Sequence, residues 1–118
     1  MATVTGVGVW TAKSVHTKTW TPLHQNDVGT VHVAPQLPDK AVTINGTFGA
    51  GGSINIEGNS DGGSTYDLLH DVNGNVLTFT ANGSKAIAEN VTYIRPNCTA
   101  GDGTTSLTCI IVGTKPGG

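Results

Sequence analysis

The sequence predicts an all-β domain: a two-sheet antiparallel β-sandwich of about eight to ten short strands. Three observations carry this. Val, Thr, Ile and Gly dominate, with 17 glycines in 118 residues, while the strong helix formers are scarce. Apolar residues recur at every second position in short runs, and nowhere at helical spacing. Asn, Asp, Gly and Pro clusters punctuate those runs roughly every 8–12 residues. Since each sheet of such a chain has one apolar face, packing two sheets together is the economical solution.

Taken in order, Thr3 to Thr11 (TVTGVGVWT) alternates Val4, Val7 and Val9 with Thr and Gly, the pattern of a Gly-loosened strand at a sheet edge or of a chain-exchange arm. Val15 to Trp20 reads as a weak, half-exposed strand, and Thr21 to Gly29 as a loop in which Pro22 blocks ladder pairing. Val31 and Val33 place GTVHVA in a strand, with His32 on the opposite face toward solvent or a partner. Pro35 to Lys40 interrupts. Val42, Ile44 and Phe48 point inward from the next strand, which Asn45-Gly46 bends. Ser53 to Glu57 alternates cleanly. Beyond the polar stretch Gly58 to Thr65, Tyr66 to Asp71 forms a short strand, Asn73-Gly74 turns the chain, and Val76 to Thr80 returns. Asn82-Gly83 turns it again before Lys85 to Glu89. Val91, Tyr93 and Arg95 share one face of Val91 to Cys98. A closing hairpin through Ala100 to Gly103 leads into Thr104 to Val112.

Residues 1–118 therefore form a single domain, with 1–23 an irregular N-terminal arm or interface segment and 114–118 a frayed tail. Within the closing hairpin, register sets Cys98 against Thr105 and Cys109 near Tyr93 to Arg95. That is too far along the ladder for a disulfide, so free buried thiols are expected.

The composition excludes several functions. A net charge of −2, with only 12% charged residues, lacks the clustered cations of a nucleic-acid binder. No apolar run reaches the roughly 20 residues of a membrane helix, and MATVTGVGVW lacks the basic and apolar regions of a secretory signal. His16, His24, His32 and His70 have no metal-ligand spacing. Asn59, Asp61, Thr65 and Asp67, and then Asp71 to Asn75, are oxygen-rich like calcium loops. They lack the glycine and closing glutamate of an EF-hand, and short Asp/Asn/Gly/Ser stretches are ordinary turn chemistry. No nucleophile elbow occurs, and the carboxylates fall mainly in turns. No catalytic residue, metal site or cofactor is predicted. Asn45, Asn82, Asn90 and Asn97 stand in Asn-x-Ser/Thr triplets, by-products of the composition. The candidate interface comprises Val4, Val7, Val9, Trp10, Val15, Trp20 and Leu23, apolar side chains in the least regular part of the chain.

Two stretches add a resemblance. INIEGNSDGGSTYDLLHDVNGNVLTFT (Ile54 to Thr80) resembles the strand-loop-strand of discoidin-like, galactose-binding jelly rolls, with Tyr66 in the aromatic position. VTYIRPNCTAGDGTTSLTCIIVG (Val91 to Gly113) continues it. Together they resemble the small virion proteins of tailed bacteriophages, in particular head decoration (cement) proteins. The likeness covers the last 60 or so residues better than the first 50. It implies a jelly-roll sandwich and a non-enzymatic protein on the outer capsid surface, assembled in the host cytoplasm. Its partners would be the major capsid protein and itself, as a homodimer or homotrimer. The alternative it implies is a tail- or fibre-associated carbohydrate-binding module, although the sequence shows no obvious aromatic-plus-Arg pocket.

Overall fold

A computed structural model describes residues 2–12, 15–33, 39–89 and 91–114, without the side chains of residues 11 and 12. Of the predicted break from Pro35 to Lys40, residues 35–38 lie outside the described residues, as do Asn90 and nearly all of the predicted tail, 115–118, whereas Asp39 and Lys40 belong to a strand rather than to the break. Among the described residues twelve strands appear, more than the eight to ten expected, and no helix is long and apolar enough to cross a membrane. The strands are β1 (Thr3–Val4), β2 (Val7–Ala12), β3 (Val15–Leu23), β4 (Val28–Gly29), β5 (His32–Val33), β6 (Asp39–Thr47), β7 (Ser53–Asn59), β8 (Asp67–Leu68), β9 (Thr78–Phe79), β10 (Gly83–Ile87), β11 (Tyr93–Ala100) and β12 (Ser106–Thr114). Five of them are only two residues long, which accounts for the undercount: a two-residue pairing leaves no periodic signal to read.

One sheet has five strands in the order β10-β6-β12-β3-β2. The other has seven, β1-β4-β11-β7-β8, with β5 also on β11 and β9 on β7. Pairing is antiparallel except for β1 on β4. Inward residues follow the period-2 rule. Val42 and Ile44 from β6, Ile54 and Ile56 from β7, Ile94 from β11, and Leu107 and Ile111 from β12 are fully or almost fully buried between the sheets. Phe48 packs against this core, as its sequence position implied.

The closing hairpin is not formed. β11 pairs with β7, whereas β12 lies between β6 and β3 in the opposite sheet. Residues 101–105 therefore carry the chain across the sandwich. Asp102 organises the crossing, accepting hydrogen bonds from the amides of Ala50 (2.9 Å) and Thr104 (2.8 Å). Buried Thr105 donates its hydroxyl to the Phe48 carbonyl (2.7 Å). Cys98 and Cys109 are free and buried, because they stand in different sheets and not because a ladder holds them out of register.

The described residues among the first 23 form strands, not an irregular arm. β3 is a nine-residue strand paired on both sides, with β12 and β2. Pairing continues past Pro22 through a register shift, in which three steps from Trp20 to Leu23 match two from Cys109 to Leu107. The bulge takes up the residue that cannot donate. Ala2 to Gly6 is fastened at several points. The Asp27 carboxylate accepts from the Ala2 amide (3.1 Å), the Thr30 hydroxyl accepts from the Gly6 amide (2.9 Å), and the Thr30 amide donates to the Val4 carbonyl (2.8 Å). At Gly6 the chain passes from the seven-stranded sheet to the five-stranded one over the Trp20 indole. A β-carbon there would lie 2.6 Å from Trp20 Nε1, so only glycine fits.

Candidate functional surface

The seven predicted interface residues separate into two groups. Trp20 and Leu23 are fully buried in the core, and Trp20 Nε1 donates to the Thr30 carbonyl (2.9 Å). They are correctly apolar but belong inside, since β3 is an inner strand. Val4 packs against the core half-buried, and Val15 is half-buried as well. Val7 (68% exposed), Val9 (53%) and Trp10 (52%) form an apolar strip along β2. This strand is the edge of the five-stranded sheet and carries no charged residue. The opposite edge, β10, carries exposed Lys85, the usual device against strand-to-strand association.

Alternation divides the strip. β2 pairs Trp10 with His16 and Val9 with Thr17 on β3. Trp20, two and four places beyond Lys18 and His16, points into the core, so Trp10 and Gly8 lie on the inner face while Val7 and Val9 point outward. On the inner face, four rings bridge the two sheets. Trp10 meets His16 edge-on at 5.0 Å, His16 stacks on His32 at 5.3 Å and 8°, and His32 meets Trp20 edge-on at 6.3 Å.

His32 is only 4% exposed, which reverses the orientation read from Val31 and Val33; Val33 is the exposed residue at 57%. Its Nε2 and His16 Nδ1 are buried without a hydrogen-bond partner. Burial, then the neighbouring His16, Lys18 and Lys40, push the His32 pKa down to about 4. Burial and then Lys18 lower that of His16. Both imidazoles are therefore neutral at pH 7 and serve as flat packing groups. Nothing in the alternation announced this ladder, since the valines around His32 suggest the opposite face.

A second polar surface covers the outside of the seven-stranded sheet. Of the three residues expected on one face, Tyr93 and Arg95 do share a face of β11, with Asn97, but it is the outer one, whereas Val91 lies before the strand and packs against the core; Ile94, Pro96 and Cys98 point inward. Tyr93 is accordingly half-buried. Arg95 Nε donates to Glu57 (2.8 Å), and the Arg95 guanidinium lies 3.8 Å from the centre of the Tyr66 ring. An aromatic-Arg pair thus exists where the sequence showed none, though each group is engaged with the other.

Beside it, Asn59, Asp61, Asp67, His70 and Glu89 line an open cleft of about 660 Å³. The calcium-like loops use their oxygens on their own backbone. Asn59 accepts from the Gly62 amide, Asp61 from Gly63, and Asp71 from Asn73 and Asn75. Among the described residues no three His, Cys, Asp or Glu side chains are grouped to hold a metal ion.

No protein-family profile matches the chain, and no curated protein matches it. Solved structures share its fold. The crystal structure of the SPBc2 prophage-derived protein YomS superposes with a TM-score of 0.62 at 11% identity, over 89% of this chain and all of that one. A cupin domain from Bordetella pertussis Tohama I gives 0.52 at 14% identity, over 98% of each chain. The fold is therefore an all-β, jelly-roll-like sandwich shared with a prophage-derived protein and with cupins.

Proposed function

We propose that the protein is a non-enzymatic structural component of a tailed-phage particle that binds the outer surface of the capsid and stabilises it by bridging major capsid subunits. The observation that carries this reading is the apolar, uncharged edge strand β2, with Val7, Val9 and Trp10 half to two-thirds exposed. Other exposed apolar side chains, such as Val33, Leu68 and Val72, lie on different elements, whereas Val7, Val9 and Trp10 follow one another along a single unpaired edge, which is what a protein-docking edge requires. The likeness in fold to a prophage-derived protein supports a phage setting. The rigid sandwich supplies a scaffold that needs no disulfide.

The test is negative-stain imaging and co-sedimentation of the purified protein with undecorated phage heads, comparing the wild type with Val7→Lys. Binding by the wild type and loss in the variant are expected. Equal binding of both would move the contact away from β2. Failure to bind heads, together with retention on a glycan array, would replace this reading by the carbohydrate-binding one. Single substitutions are preferable to deleting the first eleven residues, because Ala2 to Gly6 is hydrogen-bonded into the fold.

A further inference from the structure

We infer that β2 pairs antiparallel with β2 of a second copy, with Val9 on the two-fold axis, joining two five-stranded sheets into one of ten. The inference rests on the reading of β2 as a contact surface and names its first partner. An unpaired edge presents backbone donors and acceptors at strand spacing, which any extended chain can satisfy. The residues of β2 favour a copy of itself.

In a symmetric antiparallel pair each residue meets its mirror position, so a charged strand confronts its own charge. A two-fold pairing centred on Lys85 of β10 would do so. β2, from Val7 to Ala12, holds no charge at all. With Val9 on the axis, Val9 faces the copy's Val9, a β-branched pair, and Trp10 faces the copy's Gly8. The largest residue then meets the smallest, twice by symmetry. Opposed residues in such a ladder project from the same sheet face, so Trp10 and Gly8 meet on the inner side while the valines stay outside.

The register is fixed by where the strand begins. The Gly6 amide is committed to the Thr30 hydroxyl, and the chain before Gly6 belongs to the other sheet. An axis at Gly8 would pair only residues 7 to 9 within the strand and set Trp10 against Gly6. An axis at Trp10 would set the two indoles against each other and centre the pairing on the register shift between Trp10 and Ala12. An axis at Val9 keeps Gly8 to Trp10 in the regular part of the strand. Val7 and Val9 of both copies then form one continuous apolar strip on the outer face, which a single copy displays only in half. The surface proposed to meet the capsid is complete only in the dimer.

The test needs no capsid, so its failure is distinct from a failure of capsid binding. Light scattering on the full chain should give twice the 12.0 kDa chain mass. Under mild oxidation Val9→Cys should cross-link to a covalent dimer, because opposed Cα atoms in an antiparallel pair lie about 4.5–5.5 Å apart, within disulfide range. Val7→Cys alone should not, being about four residues, roughly 13 Å, from its copy. Native Cys98 and Cys109 are buried, and the wild type is the control. Val9→Lys, with an unchanged circular dichroism spectrum, should raise the dimer dissociation constant by about tenfold or more. A monomeric wild type, equal cross-linking of Val7→Cys and Val9→Cys, cross-linking only in a mixture of the two, or an undisturbed Val9→Lys dimer would each overturn the proposal.

Discussion

Protonating His32 should destabilise the fold by a calculable amount. At neutral pH the ring is neutral, 4% exposed, stacked on His16, with Nε2 unpartnered. Its pKa is about 4 in the native state against 6.5 when unfolded. Between these values the unfolded chain binds the proton and the folded one does not, so stability rises with pH. The contribution is fully present above 6.5, falls as pH drops through the window, and levels off below about 4. At 1.36 kcal/mol per pKa unit it amounts to about 3 kcal/mol.

The assay is urea denaturation at a series of pH values from 7.5 to about 4 for the wild type and for His32→Phe. Phenylalanine keeps a flat ring in the stack and removes both the titration and the unpartnered nitrogen. At pH 7.5 the two proteins should be of similar stability, since an apolar group replaces a polar atom with no partner to lose. Between pH 6.5 and 4 the wild type should lose about 3 kcal/mol more than the variant. The residual slope of the variant belongs to His16, whose pKa is also lowered, and to the carboxylates. If His32→Phe follows the wild-type curve, the buried imidazole is not the titrating group and the argument fails.

Other outcomes follow from local geometry. Gly46→Ala should lower stability by about 2–3 kcal/mol by thermal or urea unfolding. Its φ is +131° and a β-carbon would lie 2.3 Å from the Ser106 carbonyl oxygen. Gly51→Ala, at φ +68° with open space around it, should cost only about 1 kcal/mol. The amide and hydroxyl of Thr104 and the Ala50 amide hold the Asp102 pKa down to about 2, with the Thr104 hydroxyl the largest influence. Its stabilisation is therefore present above pH 3.8 and lost as pH falls toward 2; Asp102→Asn should melt earlier at pH 7 and lose that acid dependence. Burial raises both thiol pKa values, so a thiol reagent should label neither Cys98 nor Cys109 until the protein is unfolded.

The fold class was legible because composition and period-2 alternation act locally, and both sheets obey them in β6, β7 and β12. Long-range pairing was not. The Val91 to Cys98 and Thr104 to Val112 runs, joined by a short Gly-Asp-Gly connection, have every local mark of a hairpin. They separate because each finds longer partners: β11 pairs seven residues with β7, and β12 pairs nine with β6. Pro96 illustrates the same limit. A proline inside a strand argues for an edge, yet β11 has neighbours on both sides. The Cys98 amide points to the Asp27 carbonyl, so two residues earlier the missing donor points to the same side, into the gap between β5 and β4. There the ring of Pro96 packs against Gly29, where a β-carbon would be 2.6 Å from Cγ.

The candidate surface was half legible for a related reason. Every apolar residue from Val4 to Leu23 looks alike in a sequence, and only the partner of each strand decides which face meets water. Trp20 and Leu23 point inward from an inner strand and became core; Val7 and Val9 point outward from β2, and Trp10, on the inner face, sits at the open edge of the sheet, so all three stay exposed. The same asymmetry links the two unusual features of this edge. Trp10 stays in place because its ring rests on His16, and His16 stays because it rests on His32, a buried imidazole with no hydrogen-bonding partner at Nε2. Replacing that imidazole by an aliphatic side chain would save one polar atom but lose the flat face that carries the stack. The histidine ladder thus makes physical sense as support for an edge strand whose outer residues stay exposed.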